Sequence, residues 1–473
     1  MRLTVIGTGY LGAVHAACMA DIGHEVLGVD VDAGKVRALA EGRPPFFEPG
    51  LHEILARNVG SGRLRFTTSL REAGGFGDVH FICVGTPQQR DSQAADLRYV
   101  DAVVDSLAPH LTRPCLLVGK STVPVGTTGR LTARLRELAP GADAEVAWNP
   151  EFLREGFAVQ DTLEPDRIVA GTLSSRADET LRAVYAPMLR AGVPYIGTDP
   201  ATAELVKAAA NSFLATKISF INAMAEVCDA SGADVVTLAD AIGRDTRIGR
   251  RFLSAGLGFG GGCLPKDIRA FAARAGELGV GRAVAFLREI DEINMRQRRR
   301  TVDIARELAG GTFSGRRVAV LGATFKPDSD DVRDSPALAV AAAVHDQGAE
   351  VHVHDPQGAG NARAVLPALR YATDVTAACR GADLVLHLTE WRDYRDLDPV
   401  ALAAVVRRPK LLDARNALEA SRWRAAGWTV HALGRPAPAT APGPQPARVT
   451  IPHSSGSGSA APAGTDSLSL SPK

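Results

Sequence analysis

From its first residues the chain alternates short β-rich runs with helical stretches: LTVIG (Leu3–Gly7), an apolar stretch to about Gly23, EVLGVD (Glu25–Asp30), then VHFICVG (Val79–Gly85) and CLLVGKST (Cys115–Thr122). Strand and helix in alternation predict a parallel α/β sheet. From about Ala201 to Ala309 the strand patterns vanish and long helical patterns replace them, broken by one glycine-rich stretch, GLGFGGGCLPKD (Gly256–Asp267). A second α/β region begins near Arg316, with RVAVLGA, a helical pattern from Pro336 to Gly348, EVHVHDP, ADLVLHL and PKLLDAR. It repeats the opening of the chain, and Asp355 ends its second strand as Asp30 does in the first region. After about Gly434 the composition collapses to Pro, Ala, Ser and Gly, too poor in apolar surface to fold. The pattern predicts an α/β protein: two Rossmann-like doubly wound domains, residues 1–199 and 311–435, joined by a central helical region, 200–310, and followed by a disordered tail, 436–473.

Composition adds mainly exclusions. At 473 residues the chain has room for about three domains. A net charge of +1 gives no footprint for nucleic acid or for a membrane surface, and no apolar run approaches the ~20 residues of a membrane span. The basic run RQRRR (Arg296–Arg300) falls in a helical pattern and reads as a solvated face. Six cysteines (Cys18, Cys83, Cys115, Cys228, Cys263, Cys379) lack CxxC spacing, which speaks against a disulfide framework and against a metal site. With an N-terminus that runs straight into a strand, these features point to a soluble, cytoplasmic protein.

Gly7-Thr8-Gly9-Tyr10-Leu11-Gly12 follows a strand and opens a helix, and Asp30 closes the next strand. Glycines there permit a tight turn and close approach of a pyrophosphate to backbone N–H groups at the helix start, while the acid takes ribose hydroxyls. Asp30 is followed by Val31 and Asp32, not by an arginine, so a 2′-phosphate would meet two carboxylates and NAD is favoured over NADP. The second region has Gly322-Ala323-Thr324-Phe325-Lys326 at the equivalent turn, with one glycine and a lysine that suits a different phosphate or simply faces solvent. Arg333, just before a helix start, is a further candidate phosphate contact.

In the central region Glu204, Lys207, Asn211 and Lys217 interrupt an otherwise apolar helix, and Lys207 and Asn211, four apart, share a face. Cys263 follows a loop too rich in glycine to build a core and precedes Pro265-Lys266-Asp267, which reads as a first helical turn. A helix start and a neighbouring ammonium both favour thiolate. A dehydrogenase that oxidises an alcohol once needs no thiol; one that must oxidise the aldehyde again does, because a covalent adduct supplies the second carbon-bound hydride and leaves a thioester for water. If NPEFLREG (Asn149–Gly156) forms a helical turn, Glu151 and Glu155 point to one side.

In combination GTGYLG, EPGL (Glu48–Leu51), CVGTP (Cys83–Pro87), STVPVGT (Ser121–Thr127), NPEFLREG, ELVKAAANSFLATKISF, GFGGGCLPKD and FKPDSDDVRDSP resemble the UDP-glucose/GDP-mannose dehydrogenase family over about residues 1–435. The stretch NSFLATKISF resembles the UDP-glucose branch; the GDP-mannose branch carries a histidine near Phe213 or Leu214. Departures are Gly262 where serine is common and Leu264 where phenylalanine is common. The resemblance implies oxidation of a sugar C6 alcohol to a carboxylate with two NAD and one water, on UDP-glucose, TDP-glucose or another nucleotide sugar. It implies NAD contacts at Gly7, Gly9, Tyr10, Leu11, Gly12, Asp30, Lys35, Thr86, Ser121, Thr122, Glu155, Lys266 and Arg333. Cys263 becomes the nucleophile, Lys207 the group that stabilises the oxyanion and Asn211 its partner, with Asp267, Glu151 and Thr122 ordering water and relaying protons. The sugar nucleotide falls to Glu151, Phe152, Leu153, Arg154, Lys207, Asn211, Phe252, Leu253, Gly256, Gly260, Phe325, Lys326 and Arg415, and Arg247 resembles an arginine given by a second subunit of a homodimer. Two rivals remain: a two-electron dehydrogenase of the hydroxyacid type, and an NAD-sensing protein without turnover.

Overall fold

Eight strands form the first sheet: β1 (Arg2–Ile6), β2 (Glu25–Val29), β3 (Leu64–Thr67), β4 (Val79–Ile82), β5 (Cys115–Gly119), β6 (Ala144–Trp148), β7 (Ile168–Gly171) and β8 (Tyr195–Thr198). Their order is β3-β2-β1-β4-β5-β6-β7-β8, so the chain reverses its direction of growth between β1 and β4. That reversal opens a crevice at the carboxyl ends of the strands, where α/β sheets take their ligands. A computed structural model, describing residues 1–436, is the source of these coordinates; the expected tail, but for its first residue, lies outside the described residues. Nearly every residue of β1, β2, β4 and β5 is buried because helices cover both faces of the sheet, which is why these strands read as continuous apolar runs. The edge strands β3 and β8 are only partly buried and carry weaker patterns. All pairings are parallel except β6 with β7, an exception to the all-parallel expectation.

The second sheet holds β9 (Arg317–Leu321), β10 (Glu350–His354), β11 (Arg370–Tyr371), β12 (Leu384–His387), β13 (Lys410–Asp413) and β14 (Thr429–Ala432) in the order β11-β10-β9-β12-β13-β14, with every pairing parallel. Its switch point lies between β9 and β12. Asp355 echoes Asp30 in place and in accepting from the turn after the first strand of its sheet, but it is more fully engaged. Asp355 is buried and accepts from the backbone N–H of Ala323 (2.7 Å), Thr324 (3.0 Å) and Gly358 (2.6 Å) and from Trp391 Nε1 (3.2 Å), so its acceptor capacity is spent on holding the turn.

Between the sheets runs the helix Pro200–Ser231, 32 residues and therefore about 48 Å long. Asp199 caps it by accepting from Thr202 N at 2.9 Å, Pro200 sits at its start, and Gly232 ends it in the left-handed region at φ 77°. Leu264–Glu277 and Phe286–Leu308 complete the middle with shorter helical segments. The run Arg296–Arg300 is not the solvated face expected of it. Gln297 and Arg298 are 1% and 7% exposed, and Arg298 donates to Phe259 O at 3.0 Å and to Asp334 Oδ1 at 2.8 Å. The guanidinium ties the glycine-rich stretch to the second sheet, a long-range partnership that a local charge run does not disclose. Among the described residues no helix is long and apolar enough to cross a membrane and no His/Cys/Asp/Glu group is placed to hold a metal ion.

Candidate active site at the seam of the two sheets

The glycine turn after β1 has the geometry its spacing implied. Gly7 has φ 89°, and a Cβ on Gly12 would stand 1.8 Å from Gly7 O, so helix Tyr10–Asp21 approaches the strand closer than any side chain allows. The helix start carries no side-chain cap, and a Cβ on its N-cap Gly9 would meet nothing within 4 Å. Free N–H groups facing open space fit a pyrophosphate. Asp30 lies at the end of β2, with Thr8 N donating to it at 2.8 Å and Lys35 Nζ at 3.1 Å. Burial works against its charge, but hydrogen bonds from Asp32, Lys35 and Thr8 prevail and hold it below the usual carboxylate range. Tyr10 and Leu11 stay partly buried against the first core. Thr86 Oγ1 donates to Thr122 O at 2.8 Å and Ser121 Oγ to Val84 O at 2.6 Å, which fastens the turn after β5 to the turn after β4.

Helical periodicity on Pro200–Ser231 turns three polar groups toward this seam. Glu204, 2% exposed, accepts from Gly126 N and Thr128 N at 2.7 Å each and so caps helix Thr127–Leu138. Lys207, 5% exposed, places Nζ 3.1 Å from Glu151 Oε1, with the Phe152 ring centroid 5.5 Å away. Asn211 donates from Nδ2 to Asp267 Oδ2 at 2.7 Å, and Lys266 Nζ donates to the other oxygen of the same carboxylate. Burial disfavours the Lys207 ammonium, yet Glu151, Cys263 and Asp267 outweigh it and its pKa is raised above the ordinary lysine value. The ammonium form of Lys207 is therefore favoured by its surroundings.

Cys263 is the N-cap of helix Leu264–Glu277 and the one exposed cysteine among the six. The expected low-pKa thiolate is corrected here. Protein crowded around the sulfur disfavours its charge, Asp267 and Glu151 add to that, and the gains from Lys207 and Lys266 are smaller, so the thiol is pushed up to about 11. Cys263 is exposed by surface area, yet the protein packed around its sulfur is dense enough for burial to be the largest cause of the rise.

The helical turn considered for Asn149–Gly156 does not form. Residues 149–154 are irregular, and the two glutamates part: Glu151 goes to Lys207, Glu155 to the second sheet's side of the seam. Glu155 accepts from Ser329 Oγ at 3.1 Å and Arg333 at 3.2 Å, and its carbonyl accepts from Lys326 Nζ. Burial, reinforced by Asp331, raises Glu155 to about 7. Lys326 is thus neither a free solvent lysine nor an open phosphate clamp in this state. Arg333, forked on Asp331, lies against the glycine loop: a Cβ on Gly262 would sit 2.5 Å from its Cζ.

Arg415, which the resemblance gives to the sugar nucleotide, is half-buried and staples two loops together. It donates to Leu388 O (2.9 Å), Gly258 O (3.0 Å) and Phe325 O (3.3 Å), joining the glycine loop to the Phe325 turn. A Cβ on Gly260 would stand 2.2 Å from Asp334 O, and one on Gly256 2.9 Å from Ala414 O, so those glycines let the loop lie on the second sheet's backbone. Phe252 holds φ 66° and is exposed, whereas Leu253 is buried in the hydrophobic cluster with Ile221 and Ala225. Arg154 is forked on Asp161, and Leu153 packs on the first core. Arg247 is exposed, with its hydrogen bonds among the described residues all to Asp245. Glu48, quoted in a motif but given no role, accepts from Gly156 N and Ala158 N at 2.6 Å each and from Tyr10 Oη, and so fixes the loop that bears both glutamates. No periodicity could have signalled it, since its backbone donors lie over a hundred residues downstream.

A dinucleotide-type sheet facing a second nucleotide-type sheet across a buried lysine, a carboxylate and a thiol is the plan of an α/β dehydrogenase acting on a nucleotide-linked substrate. The chain belongs to the UDP-glucose/GDP-mannose dehydrogenase family: the NAD binding domain matches residues 1–189, the central domain 201–296 and the UDP binding domain 319–420. It is 44% identical to the UDP-glucose 6-dehydrogenase of Rhizobium meliloti over 439 residues, 92% of this chain and all of that one. It is 39% identical to the UDP-glucose 6-dehydrogenase YwqF of Bacillus subtilis, covering 98% of that relative. Among solved structures, a UDP-glucose dehydrogenase from the hyperthermophilic archaeon Pyrobaculum islandicum superposes with a TM-score of 0.83 at 41% identity, covering 90% of this chain and 98% of that one.

Proposed function

We propose that the chain oxidises UDP-glucose at C6 to the carboxylate, with two NAD consumed and one water incorporated. The observation that carries this is the placing of Cys263, exposed, beside Lys207, Asn211, Glu151 and Asp267 at the seam of the two sheets. NAD supplies the acceptor for each hydride, and Gly7, Gly9, Gly12, Asp30 and Lys35 would hold it. The protein's own part is as follows. The Lys207 ammonium, kept charged by its anionic neighbours, and the Asn211 amide face the C6 oxygen and stabilise it wherever negative charge develops; each such donor is worth roughly 3–4 kcal/mol. The Cys263 sulfur forms a bond to C6 of the aldehyde as the thiol proton passes to a neighbouring carboxylate and the carbonyl electrons move to oxygen. After the second hydride has left, water adds to the thioester, the C–S bond breaks, and sulfur regains a proton. Glu151, Asp267 and Thr122 order that water and relay its protons, which a carboxylate accepts. A two-electron dehydrogenase has no use for this thiol, and an NAD sensor has no use for the charged pair beside it.

The second sheet holds the nucleotide, with Lys326, Phe325 and the glycine loop at its opening. A second copy of the chain completes the assembly along helix Pro200–Ser231, where Phe213, Phe220 and Val227 recur at sevenfold spacing and are 66%, 47% and 55% exposed. Such a stripe suits a symmetric helix-to-helix contact. Incubating the protein with UDP-glucose and NAD and counting products tests the whole reading. Two NADH per UDP-glucuronate are expected; one NADH with free aldehyde, or none, overturns it.

A further inference from the structure

Behind the Lys207–Glu151 pair stands a second lysine with no assigned role. Lys120 follows β5 directly, just before Ser121 and Thr122, and is 7% exposed. Its ammonium donates to Asn149 Oδ1 at 2.9 Å and to Tyr185 Oη at 3.3 Å. Tyr185 Oη donates to the same Asn149 oxygen at 2.6 Å, and Asn149 Nδ2 donates to Val169 O at 2.7 Å. Among the described residues the lysines paired with carboxylates are Lys35, Lys207 and Lys266, so this cation is buried without an anion in contact. The groups facing it are Cys83 beyond β4, His15 on helix Tyr10–Asp21, Glu151 and Lys207, with the rings of Phe81 and Tyr185 each 5.8 Å away. Burial is the main effect and pushes Lys120 down to about 8.

Tying the turn after β5 to the turn after β6 does not require a cation. Trp148 Nε1 already donates to Ser121 O at 3.1 Å, and Asn149 N donates to Gly119 O at 2.8 Å. Burying an ammonium is costly, so its retention calls for a charged object of its field, and Glu151, two residues beyond Asn149, is the anion that field meets. We propose that Lys120 is a positioning residue for the reaction: through Asn149 it anchors the turn that carries Glu151, and so sets where the Glu151 carboxylate meets Lys207. This rests on the roles proposed above for Glu151 and Lys207.

Lys120→Met tests it, because methionine follows the unbranched lysine stem to Cε, removes the cation and leaves Asn149 Oδ1 bonded to Tyr185 Oη. Cys263 supplies a readout that needs no turnover. It is exposed where the other five cysteines are buried, and the charges acting on its thiol are those of Asp267, Glu151, Lys207 and Lys266. A displaced Glu151 therefore shifts the pH profile of Cys263 alkylation by iodoacetamide. The expected result for Lys120→Met is a profile moved by about half a pH unit or more, kcat lower by about ten-fold, and KM for NAD within about two-fold, at a Tm no lower than the parent's. Lys120→Arg recovers part of the kcat. Tyr185→Phe, which removes only the uncharged half of the network, leaves profile and kcat near the parent. Superimposable profiles with an unchanged kcat in Lys120→Met overturn the proposal. So does an equally large effect from Tyr185→Phe, or a Lys120→Met protein that unfolds many degrees below the parent. A parent protein inactive on UDP-glucose overturns the proposed function, while the alkylation comparison still decides on Lys120.

Discussion

Cys263→Ala should separate the two oxidations. Cys263 is exposed by surface area, so the loss of its sulfur should change stability by no more than about 0.5 kcal/mol. The groups around it persist: Lys207 keeps Glu151 at 3.1 Å, and Asn211 keeps Asp267 at 2.7 Å. The first hydride can still leave the C6 alcohol, since that step draws on the ammonium and the NAD site and not on sulfur. The second cannot follow the same route without a covalent adduct. Tethering a nucleophile at the reacting carbon is worth an effective molarity of about 10⁵ M or more, roughly 7 kcal/mol, and alanine forfeits it. Carboxylate formation should therefore fall by about five orders of magnitude while UDP-glucose binding stays within a few-fold. The assay is a titration of NADH against enzyme sites, with mass analysis of the sugar and a melting curve to establish the fold. At most about one NADH per site should form. Two NADH per sugar at near-parent rate from the alanine protein would remove Cys263 from the chemistry.

Alkylation of Cys263 in the free protein should be slow at pH 7.5 and rise about ten-fold per pH unit toward a plateau near 11; with a pKa of about 11 the thiolate fraction at pH 7.5 is about 3 in 10⁴, a hundredth of that of an unperturbed thiol, and a plateau below pH 8 would refute the enclosure argument. Glu155 is raised to about 7, so its protonated form contributes stability present below about 4.5 and lost as pH rises through about 7. Glu155→Gln should then flatten the fall in Tm across that window, and an unchanged pH dependence would show that Glu155 titrates normally. Asp30→Ala with Val31→Arg should raise kcat/KM for NADP relative to NAD by about ten-fold, because Val31 is 93% exposed and an arginine fits there without burial; equal use of both cofactors by the parent would sink the assignment of Asp30.

Elements whose signal is local were legible in the sequence. Strands covered on both faces, such as β1, β4 and β9, are mostly apolar, with the buried Thr4 and His80 bonded to each other, and the Gly7–Gly12 turn needs glycine at fixed positions, so both patterns are written in nearby positions. Lys207 and Asn211 share a face because a helix repeats every 3.6 residues. By contrast, whether a charge is solvated, paired or buried depends on atoms that folding brings from elsewhere. Arg298 turned from an expected surface residue into a buried tie because Asp334 and Phe259 meet it across the seam. Glu151 and Glu155 parted because Lys207 and Arg333 come from different domains. The thiol of Cys263 has the helix start and the lysine that sequence promised, yet enclosure and the carboxylates of Asp267 and Glu151 outweigh them. Spacing along the chain determined which residues could act together; only the tertiary structure decided the field each of them feels, because electrostatic energies are set by distance and burial in space.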